Sequence, residues 1–258
     1  MLLKDILRKI KFNLRKDLFD KRDRRFKDLW KESDLPEVVD LRAQHSPIED
    51  QLTIGSCGPN ALVGNLEYLD IAHGKSLIDL SRLFIYYNTR HIMGTLNEDS
   101  GVSMRDLIKA VARYGVCSEN SWPYIPTKFR ERPGTSCYIG GLSRRITEYL
   151  RLDGSSKDQT KRAIQSCLAD NYPVIFGLNL HKSFMSEKVA ATGLVPVPRR
   201  FFDKSIGGHA MEIVGYDTKV DCFIVRNSWG PTWGIEGYCC IPMSYVLKEG
   251  SDFWTIRK

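Results

Sequence analysis

The apolar pattern changes period once along the chain, and that change limits the fold more than any other feature. Before about residue 115 the spacing is helical. Ala61, Leu62, Leu66 and Leu69 share one face of a stretch from Asn60 to about Ile71, which stops near Gly74. A second stretch covers Arg82–Arg90. A third runs from Ser103 to Tyr114, with Met104, Leu107, Ile108 and Val111 on one face and Gly115 behind it. After about residue 170 short apolar runs suited to buried strands take over, at 173–178, 209–216, 222–226, 238–241 and 253–256. Only one further helix, near Asp158–Leu168, interrupts them. Helices first and strands later predict an α+β chain in two lobes and exclude alternating βαβ units. At 258 residues the chain suffices for one domain or two intimately packed halves. No apolar run approaches the ~20 residues of a membrane-spanning helix.

Charge divides the chain differently. Residues 1–31 hold 12 Lys/Arg and 5 Asp, a net of +7, which is the net charge of the whole protein. The body is therefore neutral, which argues against a nucleic-acid-binding domain. Leu3, Leu7, Ile10, Leu14 and Leu18 recur every three or four residues, predicting a basic amphipathic helix. Ser33–Pro36 reads as a linker. The expected organisation is an N-terminal arm over 1–36, a helical lobe over about 37–145 and a β-rich lobe over about 146–258. The arm can dock by its stripe, inhibit the body as a pro-segment with Glu32–Glu37 reaching the cleft, or meet a membrane surface or polyanion. The charged N-terminus lacks the apolar core of a secretory signal, so the default expectation is a cytoplasmic protein.

Seven cysteines, an odd number, leave at least one thiol unpaired. No CxxC and no paired Cys/His spacing suggest zinc, so neither metal nor cofactor is expected. Reduced thiols follow from the expected compartment. Three segments bear on chemistry. In Gln51–Ala61 a cysteine, Cys57, sits where a turn feeds a helix, and free N–H groups with the positive end of the helix dipole favour thiolate there. Pro59 suits a first helical turn. In Gly207-Gly208-His209 a histidine opens an apolar strand. In Asn227-Ser228-Trp229-Gly230 an asparagine ends the next strand. An Asn accepting the Nδ1–H of the His would fix its ring, and a Trp above would keep water out. Each segment alone has an ordinary structural explanation. Together they supply nucleophile, base and orienting group.

The order and spacing resemble the papain-like cysteine peptidases. Gln51 lies six residues before Cys57, and Asn227 lies 18 after His209. The most specific match is Asn227-Ser228-Trp229-Gly230 followed by Trp233-Gly234 and Gly237-Tyr238. Val39–Arg42 resembles the start of the mature enzyme, and Ser121–Tyr124 its mid-chain turn. The resemblance covers roughly residues 37–245. It implies a helical lobe carrying Cys57, a barrel-like β lobe carrying His209 and Asn227, and a cleft between them. It further implies an oxyanion hole from the Gln51 side chain and the Cys57 N–H, with Trp229 shielding the His209–Asn227 contact. Backbone around Ser100 and Gly101 would pair with an extended substrate. Met104, Gly177 and Gly207 would line the pocket for the side chain two before the cut, and two glycines suggest room for a large apolar or aromatic residue. The expected activity is that of a monomeric cysteine endopeptidase acting on polypeptides. An inactive partner-binding relative and an acyltransferase using the same residues are the alternatives.

The chain also departs from the family pattern. Ile54 replaces a usual cysteine, whose partner near Asp99-Ser100-Gly101 is missing too. Gly58 stands where Trp follows the nucleophile, and Gly208 where Asp or Asn precedes the histidine. The short arm is similar to that of bacterial and large-DNA-virus members.

Overall fold

A computed structural model describes residues 10–26, 35–199 and 201–258. Its first lobe is helical, with α1 (Cys57–Ala72), α2 (Arg82–Met93), α3 (Met104–Tyr114) and a short α4 (Thr135–Gly141). Serine side chains cap two of these: Ser81 accepts from the Phe84 N–H and Ser103 from the Asp106 N–H, satisfying first-turn donors that lack helical partners. Left-handed Gly94 ends α2. The expected face of α3 is the buried one, with Met104, Leu107, Ile108 and Val111 all in the core.

The second lobe is built on an antiparallel sheet of β2 (Glu148–Arg151), β3 (Val174–His181), β4 (Ser205–Asp217), β5 (Cys222–Arg226), β6 (Tyr238–Pro242) and β7 (Gly250–Arg257). The strand order is β2-β7-β3-β4-β5-β6. Helix α5 (Lys157–Ala169), capped by Ser156, and the short α6 (Glu187–Thr192) and α7 (Met243–Glu249) complete the lobe. Strand β3 is a continuous apolar run because it lies between β7 and β4 with Val174–Leu178 all buried. Strand β4 has 13 residues and two uses. Its first part carries Gly207-Gly208-His209. Its far end pairs with β1 (Val38–Asp40), Val38 facing Asp217. Chain position alone assigned residues 38–40 to the helical lobe, but hydrogen bonding places them in the sheet.

One hydrophobic core runs through both lobes. It joins Leu62, Leu66 and Met104 of the helical side to Phe176, Ile213, Phe223 and Trp254 of the sheet. The lobes are thus packed halves, and the surface between them is fixed rather than hinged on a linker.

Two expectations fail. Cys222 and Cys240 form a disulfide across β5 and β6, with Cα atoms 5.8 Å apart. Cross-strand pairing of Ile224 with Cys240 brings them together, and pairing register is invisible in cysteine spacing. The other five cysteines are free and buried. The arm is not helical over 10–26. Ile10 is buried in the core and Leu14 is half-buried, but Leu18 is 84 % exposed. Leu3 and Leu7 lie outside the described residues. Helical periodicity loses here because both faces of the cleft offer the arm backbone hydrogen bonds that a helix would keep for itself.

Candidate active site

Helix α1 begins at Cys57 with no side-chain cap on its first turn. The N–H groups of Cys57 and Gly58 are therefore turned to the thiol, and the N–H of Ala210, next to His209, reaches it from β4. Each favours thiolate. Burial outweighs them, because Cys57 is 1 % exposed, and pushes the thiol up to about 11. A Cβ on Gly58 would lie 2.7 Å from Val102 Cγ2 and 3.2 Å from Leu107 Cδ2. The space a larger side chain would need is already filled by the helical lobe.

His209 is fully buried, and its Nε2 meets Asn227 Oδ1 at 2.8 Å. The same oxygen accepts the Ser228 N–H at 2.8 Å, so the amide is oriented by two donors. With Nε2 donating to Asn227, Nδ1 is the nitrogen left to exchange a proton; it has no hydrogen-bond partner among the described residues. This reverses the expectation that Nδ1 would face the asparagine. Trp229 is 3 % exposed and lies 5.0 Å from the His209 ring, centroid to centroid, over the His–Asn contact. Burial lowers His209 to about 4, against the opposing effect of the Asn227 bond. Gln51 is fully buried. Its Oε1 accepts from Ser228 Oγ at 2.8 Å, which turns the amide nitrogen toward the Ile54–Cys57 turn.

The arm contributes to this burial. Residues 12–15 of the arm pass between the lobes. Leu14 N donates to Gly208 O at 3.2 Å on one side, and Arg15 N to Val102 O at 2.9 Å on the other. Phe12 stands edge-on to both His209 and Trp229, each 6.1 Å away. Asn13 donates from Nδ2 to Asp99 O at 2.8 Å. Glycines permit this approach. A Cβ on Gly101 (φ +67°) would sit 2.2 Å from Asn13 O, and one on Gly207 (φ +126°) 2.3 Å from Phe12 O. The cleft is covered by 12–15. Residues 36–37 lie at the other end of β4, where Pro36 O accepts from Tyr216 Oη; 32–34 lie outside the described residues.

Residues 35–249 match the family model described as papain family cysteine protease. The chain belongs to the papain family of cysteine proteases. An uncharacterized peptidase C1-like protein of Acanthamoeba polyphaga mimivirus is 39 % identical over 231 residues, 87 % of this chain and 74 % of that one. Xylellain, a cysteine protease from Xylella fastidiosa, superposes with a TM-score of 0.84 at 33 % identity, covering 97 % of both chains. Cysteine proteinase 2 of Leishmania pifanoi is 27 % identical over 82 % of this chain, but the match spans only 46 % of that relative. The protein is a papain-like cysteine protease, a hydrolase of polypeptides, with the two-lobed fold of that family.

In the cleft of this protease the arm meets Gly101, Gly177, Gly207, His209 and Trp229 directly, while Asn227 bonds to His209, Cys57 meets the Ala210 N–H and Gln51 bonds to Ser228. Ser100 stands just behind, donating from Oγ to Gly101 O at 3.0 Å. Met104, buried in the core, does not line the opening beside Leu14. Three contributors were missed. Ser228, inside the Asn227–Gly230 motif, orients Gln51. Tyr124 donates to Gln51 O at 2.7 Å and meets Ser56 Oγ at 2.5 Å, bracing the turn before the nucleophile. Asp99 accepts the Gly55 N–H at 2.9 Å and the Tyr86 hydroxyl. It ties together the two segments that a disulfide joins in the usual pattern. The missing cysteine pair was the available signal for a substitute there.

Proposed function

We propose that the protein is an endopeptidase in which Cys57 and His209 carry the chemistry, Asn227 orients the base and residues 10–15 hold the enzyme shut. The His209–Asn227 hydrogen bond under Trp229 carries this reading, because it aims the unpartnered Nδ1 away from Asn227 and fixes the tautomer. In the open enzyme Cys57 Sγ attacks the scissile carbonyl carbon. Imidazolium Nδ1–H protonates the leaving amine, and the freed nitrogen then takes a proton from the water that hydrolyses the thioester. The Gln51 side-chain N–H and the Cys57 backbone N–H stabilise the oxyanion, each donor contributing about 3 kcal/mol in the transition state. An extended segment already threads the whole cleft as residues 12–15, which supports cutting within a chain over trimming its ends.

The arm opposes this chemistry twice. It fills the space a substrate needs, and it strips water from a thiol and an imidazole that must both carry charge. Active-site titration with an epoxide or vinyl sulfone tests the reading. In a variant with the arm loosened (Phe12→Ala with Leu14→Ala), one equivalent should alkylate Cys57 and abolish peptide hydrolysis, and adding Cys57→Ala should leave no uptake. Alkylation without any hydrolysis of a diverse peptide library would overturn the peptidase assignment. Amide transfer to added amines in that case would establish an acyltransferase instead.

A further inference from the structure

Leu18 ends the arm's leucine stripe, yet it does not pack with it. Leu18 and its neighbour Phe19 are 84 % and 86 % exposed. A single exposed apolar side chain is ordinary, but two large ones in sequence on a fixed loop are not. The loop is fixed on both sides. Asp17 ahead of the pair accepts from Arg105 N and Trp254 Nε1, and Asp23 behind it takes the Arg105 guanidinium. Within the pair, Leu18 O accepts from Arg105 Nη1 at 2.6 Å. Asp23 N donates to Asp20 O at 3.2 Å, closing a turn that Arg22 braces by donating to the Asp20 carboxylate. Backbone and anchors thus hold Leu18 and Phe19 outward, and neither side chain can turn in without breaking them.

Charge surrounds the pair. Arg15 and Lys16 precede it, and Lys21, Arg22 and Arg24 follow, all exposed. Asp20 matches Arg22, and Glu148 matches Arg24 at 2.7 Å. Arg15, Lys16 and Lys21 have no described carboxylate within ion-pair reach. The nearby acids Asp17 and Asp23 are already turned to Arg105 and Arg151 of the body. What faces solvent is therefore an apolar tip in a cationic rim. A polyanion would use the rim and leave Leu18 in water. An apolar protein groove would use the tip and leave three cations unmatched. An anionic bilayer takes both, apolar side chains at the boundary of headgroups and acyl chains and cations at the headgroups.

We infer that residues 15–24 are a membrane-contact surface, with Leu18 and Phe19 inserting into an anionic bilayer and Arg15, Lys16 and Lys21 meeting its headgroups. The device is a rigid loop and not the basic amphipathic helix that the leucine spacing predicts. A loop already fixed by Asp17 and Asp23 loses little conformational freedom on contact, so few side chains suffice. The segment lies only three residues beyond the blocker at 12–15, but it is held by Arg105 and Arg151 rather than by the cleft. Membrane contact therefore does not depend on whether the cleft is filled. The inference goes beyond the peptidase reading and is measured without turnover.

Sedimentation of the full chain with lipid vesicles tests it. Mixed phosphatidylcholine–phosphatidylserine vesicles should bind the protein at least about tenfold more tightly than phosphatidylcholine alone. Leu18→Ser with Phe19→Ser should weaken binding to the mixed vesicles by about tenfold or more, because two apolar side chains no longer leave water. Lys16→Gln and Lys21→Gln should each weaken it about fivefold. Both side chains of the serine variant point to solvent, so its denaturant midpoint should match the wild type. Phe19→Trp reads insertion in a chain with its charges intact. Lipids brominated along the acyl chain should quench the emission it adds over the wild type. Serine substitutions that leave vesicle binding unchanged, or a Trp at position 19 that brominated lipid does not quench, would overturn the inference. Binding to duplex DNA without binding to the mixed vesicles, unaffected by the serine substitutions, would overturn it too and make the rim a polyanion surface.

Discussion

The arm is two structures joined at Lys16. Residues 12–15 meet the body through backbone hydrogen bonds, one amide and one phenyl ring, laid over glycines. Residues 17–25 meet it through buried charge. Asp17, with a fully buried side chain, accepts from Arg105 N and from Trp254 Nε1, both at 2.9 Å. Asp23 takes Arg105 in a two-pronged pair at 2.9 and 2.5 Å. Arg151 lies 3.3 Å from Asp23, 3.6 Å from Asp17 and 2.6 Å from Asp252. The first stretch uses interactions that a substrate could make in its place. The second uses interactions that water cannot replace without leaving charges bare. On the proposed reading, opening the cleft means displacing residues 10–15 while 17–25 stays docked on the body.

This division is worth testing only if the blocked site works, and the largest expected effects lie there. In any variant with measurable turnover, Cys57→Ala should lower kcat/KM by more than ~10²-fold, because the covalent route is gone. His209→Ala should match it. Asn227→Ala should retain more activity, since packing under Trp229 still holds the ring. Equal losses at His209 and Asn227 would show that Asn227 does more than orient. Cysteine-to-serine changes at the other six positions should leave most of the activity.

The anchor comes next. Arg105→Ala removes the guanidinium that pairs with Asp23 and donates to the Leu18 carbonyl, leaving the buried Asp23 short of a cation, while the backbone N–H on Asp17 stays. A loss of about 3 kcal/mol in denaturant unfolding is expected. Burial first, and then the nearby Asp252, raise the Asp17 pKa. A docked carboxyl with a raised pKa binds its proton more tightly than a free one, so docking at Asp17 strengthens as pH falls through that pKa. Acid should not strip this end away by titrating Asp17. Should Arg105→Ala open the cleft to inhibitor at unchanged stability, blocker and anchor are a single unit and the comparison is wrong.

Loosening the blocker should have a smaller effect of a different kind. Phe12→Ala with Leu14→Ala should speed alkylation of Cys57 about tenfold at neutral pH while stability changes little. The pH profile reports the cause. In the docked state the thiol is pushed up to about 11 from its ordinary 9.0, so labelling of the wild type should keep rising to about pH 11. Rehydration in the double variant lowers that pKa, and labelling should level off below pH 9. Linkage gives the same sign. The docked state holds a proton that the open state releases, so docking weakens as pH rises from about 9 toward 11. Identical profiles for the two proteins would mean that the arm blocks by bulk alone.

What could be read from the sequence follows the same physics. Helices α1, α2, α3 and α5 and strands β3 to β7 were legible because each carries its own periodic apolar face and sits in one continuous core. The short α4, α6 and α7 were not, since six or seven residues make at most two turns, and neither was β2, where only Leu150 is buried. Cys57, His209 and Asn227 could be found because local features marked them: a helix start, paired glycines and a strand end. Asp99, Ser228 and Tyr124 could not, because each acts on a segment distant in sequence. The arm misled most. Its leucine spacing is helical, yet the partner that decides its conformation is a cleft formed by residues 101–103 and 207–209.

The smallest predicted effect lies at the blocker's exposed edge. Lys11 Nζ is 2.7 Å from Asp99 Oδ2, but its side chain is 51 % exposed. Asp99 already accepts from Gly55 and Tyr86 on its other oxygen and is only 8 % exposed. The carboxylate is thus positioned with or without the lysine. A pair of this kind contributes less than about 1 kcal/mol and is screened by salt. Lys11→Ala should therefore speed labelling of Cys57 by no more than about fivefold in dilute buffer. At 1 M salt, where screening acts over about 3 Å, the difference from wild type should vanish. The Phe12→Ala, Leu14→Ala protein should keep its advantage at both salt concentrations, because its lost contacts are apolar. A Lys11→Ala effect as large as that of the double variant, persisting in 1 M salt, would move the hold on the cleft from backbone and ring contacts to charge.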